Sequence, residues 1–147
     1  MPGYEVFGSE EQRAINELFE LNGGILFAHG FDGLRKGIYR VREFERAFAK
    51  KMGAEYAQAV SSGSAALRVA LAALGIGRGD EVIIPAFTFV ATAEAVIQTG
   101  ADLVIVDIDE TLNMSPKALE EAVTKKTKAI IPVHMMGAPA DMDAIMD

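Results

Sequence analysis

Apolar residues return along this chain in two rhythms. Up to about residue 52 they recur every three or four positions, as on one face of a helix; from Tyr56 onward they gather into short runs. Ser9-Glu10-Glu11-Gln12 has capping-box spacing, with Ser at the cap and Gln three later. It predicts a helix running to about Leu21 and stopped by Asn22-Gly23-Gly24. Ile25 to Ile38 has no period and is expected as a loop, open to substrate or partner contacts. Val41, Phe44, Ala47, Phe48 and Met52 then form one stripe of an amphipathic helix ended by Gly53. Arg42, Glu43, Glu45 and Arg46 make its polar face, where an Arg42–Glu45 pair is expected.

Beyond Tyr56, strand and helix alternate. Strands are predicted at 56–60, 81–84, 102–107 and 127–133, and helices at 65–75, about 89–99 and 116–124. Val82-Ile83-Ile84 and Leu103-Val104-Ile105-Val106 are apolar on both faces, which suits a sheet covered by helices on each side. Ser115-Pro116 reads as a cap followed by a first-turn proline, and Asp141 as the cap of a further helix. The fold class is α/β.

Two junctions carry candidate chemistry. Ser61-Ser62-Gly63-Ser64-Ala65-Ala66-Leu67 is a small-residue turn between an apolar run and an apolar helix. A helix start has unpaired N–H groups and the positive end of the macrodipole, and small side chains let an anion approach them. Ser64 adds a hydroxyl. The same residues also fit an ordinary tight turn with Ser64 as N-cap. At the second junction, Pro85-Ala86-Phe87-Thr88-Phe89 leads from strand to helix with two aromatics. Ligands of open α/β sheets bind beyond the carboxyl ends of the strands. Both junctions are therefore expected on one edge, suiting a flat, phosphorylated ligand.

Composition narrows the classes. With 21 acidic against 14 basic side chains, the net charge of −7 argues against a nucleic-acid partner. The absence of cysteine excludes a disulfide framework and any thiolate ligand or nucleophile. Two distant histidines, His29 and His134, make no recognisable metal site. Met1-Pro2-Gly3-Tyr4-Glu5 lacks a signal-peptide pattern and no run is long enough to span a membrane, so the expectation is a cytoplasmic protein.

Ala59-Val60-Ser61-Ser62-Gly63-Ser64-Ala65-Ala66-Leu67, followed by Gly79-Asp80-Glu81-Val82-Ile83-Ile84-Pro85-Ala86-Phe87-Thr88-Phe89-Val90-Ala91-Thr92, resembles the DegT/DnrJ/EryC1/StrS family. The similarity continues through Val106-Asp107-Ile108-Asp109, Leu112-Asn113, Pro132-Val133-His134 and Ala140-Asp141-Met142-Asp143, covering roughly residues 40 to 147. The family consists of sugar aminotransferases that use pyridoxal 5′-phosphate (PLP).

The resemblance implies a fold-type-I large domain, a mainly parallel sheet with helices on both faces. Residues 1–39 would be an N-terminal helix and substrate or partner loop, and 40–147 the N-terminal part of the PLP-binding domain. Ser64 and Ala65 correspond to the phosphate-binding position, and Phe89, in preference to Phe87, to the aromatic stacked on the pyridine ring. His29 and His134 are weak candidates for substrate contact; for His134 a buried, hydrogen-bonded role is the expectation. Met135-Met136 is expected as core or pocket wall. None of Lys36, Lys50, Lys51, Lys117, Lys125, Lys126 and Lys128 has the family's lysine context. No catalytic residue is therefore expected within the chain, and the Schiff-base lysine is expected beyond Asp147, leaving the chain alone inactive.

The implied reaction moves an amino group from a donor such as glutamate to a keto sugar in a homodimer. The sugar would be nucleotide-linked or, from a likeness of the opening Pro2-Gly3-Tyr4-Glu5-Val6-Phe7-Gly8, an octulosonate destined for lipopolysaccharide. A PLP-dependent sugar dehydratase of the same family is the alternative. From another class, so is a non-catalytic phosphate- or nucleotide-binding α/β module, although neither G-x-G-x-x-G nor G-x-x-x-x-G-K-[ST] occurs.

Overall fold

The structure, a computed structural model, describes residues 4–27 and 30–147; His29 lies outside the described residues. The chain divides into two compact units, Met1–Ala59 and Val60–Asp147.

Among the described residues the first unit holds two α-helices, α1 (Ser9–Asn22) and α2 (Arg40–Met52), and a short 3-10 helix at Tyr4–Val6. The capping box of α1 is shifted one residue from the sequence reading. Gly8 is the cap, and the Glu11 carboxylate reaches back to accept the Gly8 N–H at 2.7 Å. An anion in the first turn also favours the helix dipole, which a Gln at the same place would not exploit. Gly23 and Gly53 end the two helices as expected, with φ of 68° and 67°, a region that glycine enters without a Cβ clash.

The expected Arg42–Glu45 pair does not form. The Arg42 guanidinium lies 4.3 Å from the centroid of the Tyr39 ring. The Glu45 carboxylate instead accepts the Ala59 N–H and the Gln58 amide, each at 2.9 Å. Arg40 makes the ion pairs, at 2.8 Å to Glu43 and 3.2 Å to Glu17. The predicted strand at 56–60 is also absent, and Tyr56 is 81% exposed. A strand needs a neighbour; among the described residues none pairs with this segment, and a side chain takes the Ala59 N–H.

The second unit is a parallel sheet of β1 (Glu81–Pro85), β2 (Asp102–Val106) and β3 (Thr127–Ile130) in the order β2-β1-β3. It carries α3 (Gly63–Ala73), α4 (Val90–Thr99), α5 (Pro116–Ala122) and α6 (Met142–Met146). Alternation along the central strand sorts the core into two layers. Val82 and Ile84 pack with Leu71, Ala95 and Val96 of α3 and α4. Ile83 faces the other way, toward Val106, Met114, Leu119 of α5 and Ile145 of α6. Helices thus cover both faces of β1, as its unbroken apolar run predicts, whereas the run of β2 is only partly covered, with Ile105 59% exposed.

β3 stops short of the predicted 127–133. The Ile131 N–H still donates to the Ile83 carbonyl at 2.9 Å, but Pro132 has no N–H to continue the ladder. The caps of α5 and α6 are those read from sequence. Ser115 Oγ accepts the Ala118 N–H at 3.3 Å, and Asp141 Oδ1 the Ala144 N–H at 3.1 Å.

Candidate cofactor-binding edge

Because the three strands are parallel, their carboxyl ends share one edge, and each feeds a segment of interest there. β1 runs into Ala86–Phe89 and α4, β2 into the turn around Asn113, and β3 into Ile131–Asp141. The first turn of α3 meets α4 around a cavity of about 210 Å³ lined by Ser62, Ser64, Ala65, Arg68, Ala91 and Glu94, among others. Ala91 lies in the first turn of the helix capped by Phe89, so α4 reaches the small-residue turn through its first turn, while neither Phe87 nor Phe89 lines the cavity.

The cap of α3 is Ser62 rather than Ser64. Ser62 Oγ accepts the Ala65 N–H at 3.1 Å, and its carbonyl accepts the Ala66 N–H at 3.0 Å. Among the described residues, the Gly63 and Ser64 N–H groups and the Ser64 hydroxyl have no hydrogen-bond partner. These three donors stand on the positive end of an eleven-residue helix. A Cβ built on Gly63 would meet no atom within 4 Å, so the turn is open as well as donor-rich. An anion drawing on the Ala65 N–H as well would have to displace the Ser62 hydroxyl. Arg68 donates to Gln98 at 3.2 Å and shares the cavity with Glu94, so side-chain charge there nearly balances and the helix terminus supplies the attraction.

Phe89 is 75% exposed and Phe87 41%, so the ring named from sequence is the one more available to a ligand. Thr88 and Thr92 hydroxyls lie 2.9 Å apart and tie the entry of α4 to its first turn. His134 is hydrogen-bonded but exposed, not buried as expected; its Nδ1 accepts the Ala140 N–H at 3.0 Å. Met136 is also no core residue, at 85% exposure with φ 51°.

Asp109 closes its own turn. Its carboxylate accepts the Thr111 N–H at 2.8 Å and hydroxyl at 2.5 Å, and the hydroxyl bond above all holds its pKa below the usual 3.8. Among the described residues no three acidic or histidine side chains group to hold a metal ion, and no helix is long and apolar enough to cross a membrane. The sequence reading missed Asn113 as more than a match in a resembling stretch. It is 2% exposed and fully hydrogen-bonded, and the alternation Asp109-x-Thr111-x-Asn113 just before an apolar Met114 was the available sign.

Solved structures share this fold. The chain matches 3-amino-5-hydroxybenzoic acid synthase at 40% identity and TM-score 0.83, over 99% of this chain and 36% of that one. It matches DesV of S. venezuelae at 38% and 0.82, over 97% and 36%. The putative sugar aminotransferase Spr1654 from Streptococcus pneumoniae matches in its PMP form at 32% and 0.78, over 92% and 32%, and in its PLP form at 38% and 0.72, over 78% and 31%. The chain spans about a third of the length of these relatives. Its architecture is that of the fold-type-I large domain, N-terminal part. The profile of the DegT/DnrJ/EryC1/StrS aminotransferase family matches residues 32–147, and the chain belongs to that family.

Proposed function

We propose that this chain forms the phosphate end and one ring face of a PLP site, in a protein that transfers an amino group from an amino-acid donor to a keto sugar. The observation that carries this reading is the open start of α3, where two N–H groups and the Ser64 hydroxyl stand without partners among the described residues. That donor set suits a phosphate dianion. Ser64 and Ala65 border the cavity at this end, and Phe89 offers an exposed ring to cover the pyridine face and keep water from it. PLP supplies the electron sink that lets an amino group leave one carbon and enter another. The residues of this chain bind and orient it. The lysine and carboxylate that complete such a site are proposed to come from elsewhere in the whole protein, as none of the seven lysines has a fitting context.

The substrate proposed is a nucleotide-linked or octulosonate-type keto sugar, with glutamate or a similar amino acid as donor. Assembly as a cytoplasmic homodimer belongs to the same proposal. Val90, 58% exposed next to Phe89, is apolar surface that a second subunit would cover.

The test is equilibrium binding of PLP, followed by its absorbance, to the wild type and to Ser64→Ala. Loss of one donor to a charged group is expected to weaken binding by roughly tenfold or more. Inorganic phosphate should compete. Binding that ignores both Ser64→Ala and phosphate would overturn the reading. In the whole protein, ¹⁵N from labelled glutamate should appear in the sugar product; release of ammonia without amino transfer would move the assignment to a dehydratase.

A further inference from the structure

The segment after β3 is held by Asn113, and all of its amide is engaged. Oδ1 accepts the Met135 N–H at 2.9 Å, while Nδ2 donates to the Pro139 carbonyl at 3.3 Å and to Thr111 Oγ1 at 3.1 Å. Between the two anchor points the chain turns through Met136 and Gly137, with φ of 51° and 84°. A methionine in that region is unfavourable on its own, so its surroundings must impose the conformation. The Gly137 N–H to His134 carbonyl bond, 3.2 Å, and the Ala138 N–H to Met135 carbonyl bond, 2.9 Å, close the turn.

Across the same turn, the Ala140 N–H donates to His134 Nδ1 at 3.0 Å. A neutral imidazole whose Nδ1 accepts a hydrogen bond carries its proton on Nε2. The tautomer and orientation of His134 therefore follow from where Ala140 stands. Ala140 is 5% exposed, packs with Ile83 and Met114, and adjoins the Pro139 carbonyl that Asn113 holds. The amide does both jobs at once. An aspartate would lose the donor to Pro139, and a leucine both bonds.

We propose that Asn113 is a positioning residue that presents His134 as an Nε2–H donor, at the carboxyl edge of the sheet, to an oxygen of the ligand bound there. The ligand half rests on the PLP reading above; the positioning half does not.

The experiment uses protein labelled with ¹⁵N-histidine, which has only two imidazoles, His29 and His134, told apart by His29→Gln. In the wild type, His134 should give separate signals for a bare Nδ1 and a protonated Nε2. In Asn113→Ala these should average as the tautomers interchange, and amide exchange across 131–141 should rise roughly tenfold, the scale of one lost hydrogen bond, with 82–84 unchanged. Asn113→Asp keeps the Met135 bond and should fall between; it carries the comparison if Asn113→Ala fails to fold. Added PLP should shift the wild-type Nε2 signal and not that of Asn113→Ala. Unchanged nitrogen signals in both variants would overturn the positioning role. PLP bound by absorbance without any shift at Nε2 would overturn the ligand contact. Failure of PLP to bind the wild type would overturn the functional reading and the contact with it, with the nitrogen signals still deciding the role of Asn113.

Discussion

The two units handle apolar side chains in opposite ways. In Val60–Asp147, Val82, Ile83, Ile84 and Val96 are 0–2% exposed, and helices close both faces of the central strand β1. In the first unit, among the described residues, Ala49 is the one buried apolar side chain, while Phe44, Phe48 and Met52 of α2 are 57%, 46% and 64% exposed. The first unit keeps its shape with polar contacts: Arg40 to Glu17 and Glu43, Glu45 to the Gln58 side-chain amide and the Ala59 N–H, and Arg35 and Arg42 over the Tyr39 ring. Even its buried interior contains a charge, Arg35 at 3% exposure, which donates to the Phe27 carbonyl. A periodic apolar stripe therefore establishes a helix and its face, but burial depends on an opposing surface. β1 has one on each side; α2 has the Phe44–Phe48 ring contact at 5.7 Å.

The contrast breaks most readily in stability. Ile83→Ala removes a side chain from the middle of the sheet and should cost about 3 kcal/mol or more, whereas Phe48→Ala should cost less than about 1 kcal/mol. Urea unfolding followed by circular dichroism measures both. Equal losses would mean that the α2 stripe is covered in solution.

The next effect is on binding. Phe89→Ala should weaken PLP affinity roughly fivefold to tenfold, the scale of one ring stack, with little change in stability because the ring is exposed. Phe87→Ala should do less, and Phe44→Ala in the first unit nothing. Equal affinity in wild type and Phe89→Ala would assign the ring face to another residue.

Glu45→Ala sharpens the comparison from the polar side. It removes the acceptor of the Ala59 N–H and should cost about 1 kcal/mol, with faster amide exchange at 54–60 and none at 82–84.

The smallest effect is in acid, and each unit has one group to follow. The Gly8 N–H holds Glu11 below its usual 4.5, and the Thr111 hydroxyl holds Asp109 below 3.8. A carboxyl with a lower pKa folded than unfolded stabilises the fold above its unfolded value and loses that contribution as pH falls through its folded value. Both turns should therefore loosen only in acid, below the ordinary carboxyl range. Thr111→Val should return the Asp109 titration, read from its side-chain carboxyl NMR shift, toward 3.8.

Much of this architecture was written locally. Val82-Ile83-Ile84, apolar on both faces, required a doubly covered strand, and Ser115-Pro116, Asp141, Gly23 and Gly53 placed helix ends because caps are satisfied within a few residues. The family resemblance likewise sat in contiguous motifs. What only the tertiary structure decided were choices between competing partners. Ser62, not Ser64, caps α3 and leaves the Ser64 hydroxyl without a partner among the described residues, although both serines have the chemistry. Glu45 serves the Ala59 N–H, 14 residues away, instead of the arginine three residues away. The apolar run at 56–60 is no strand, since pairing needs a neighbour that propensity cannot supply. Asn113 reaches Met135 and Pro139 across 22 and 26 residues. Periodicity and caps are short-range properties, legible along the chain; which of several equivalent donors and acceptors meet is settled by the packing that brings distant backbone together.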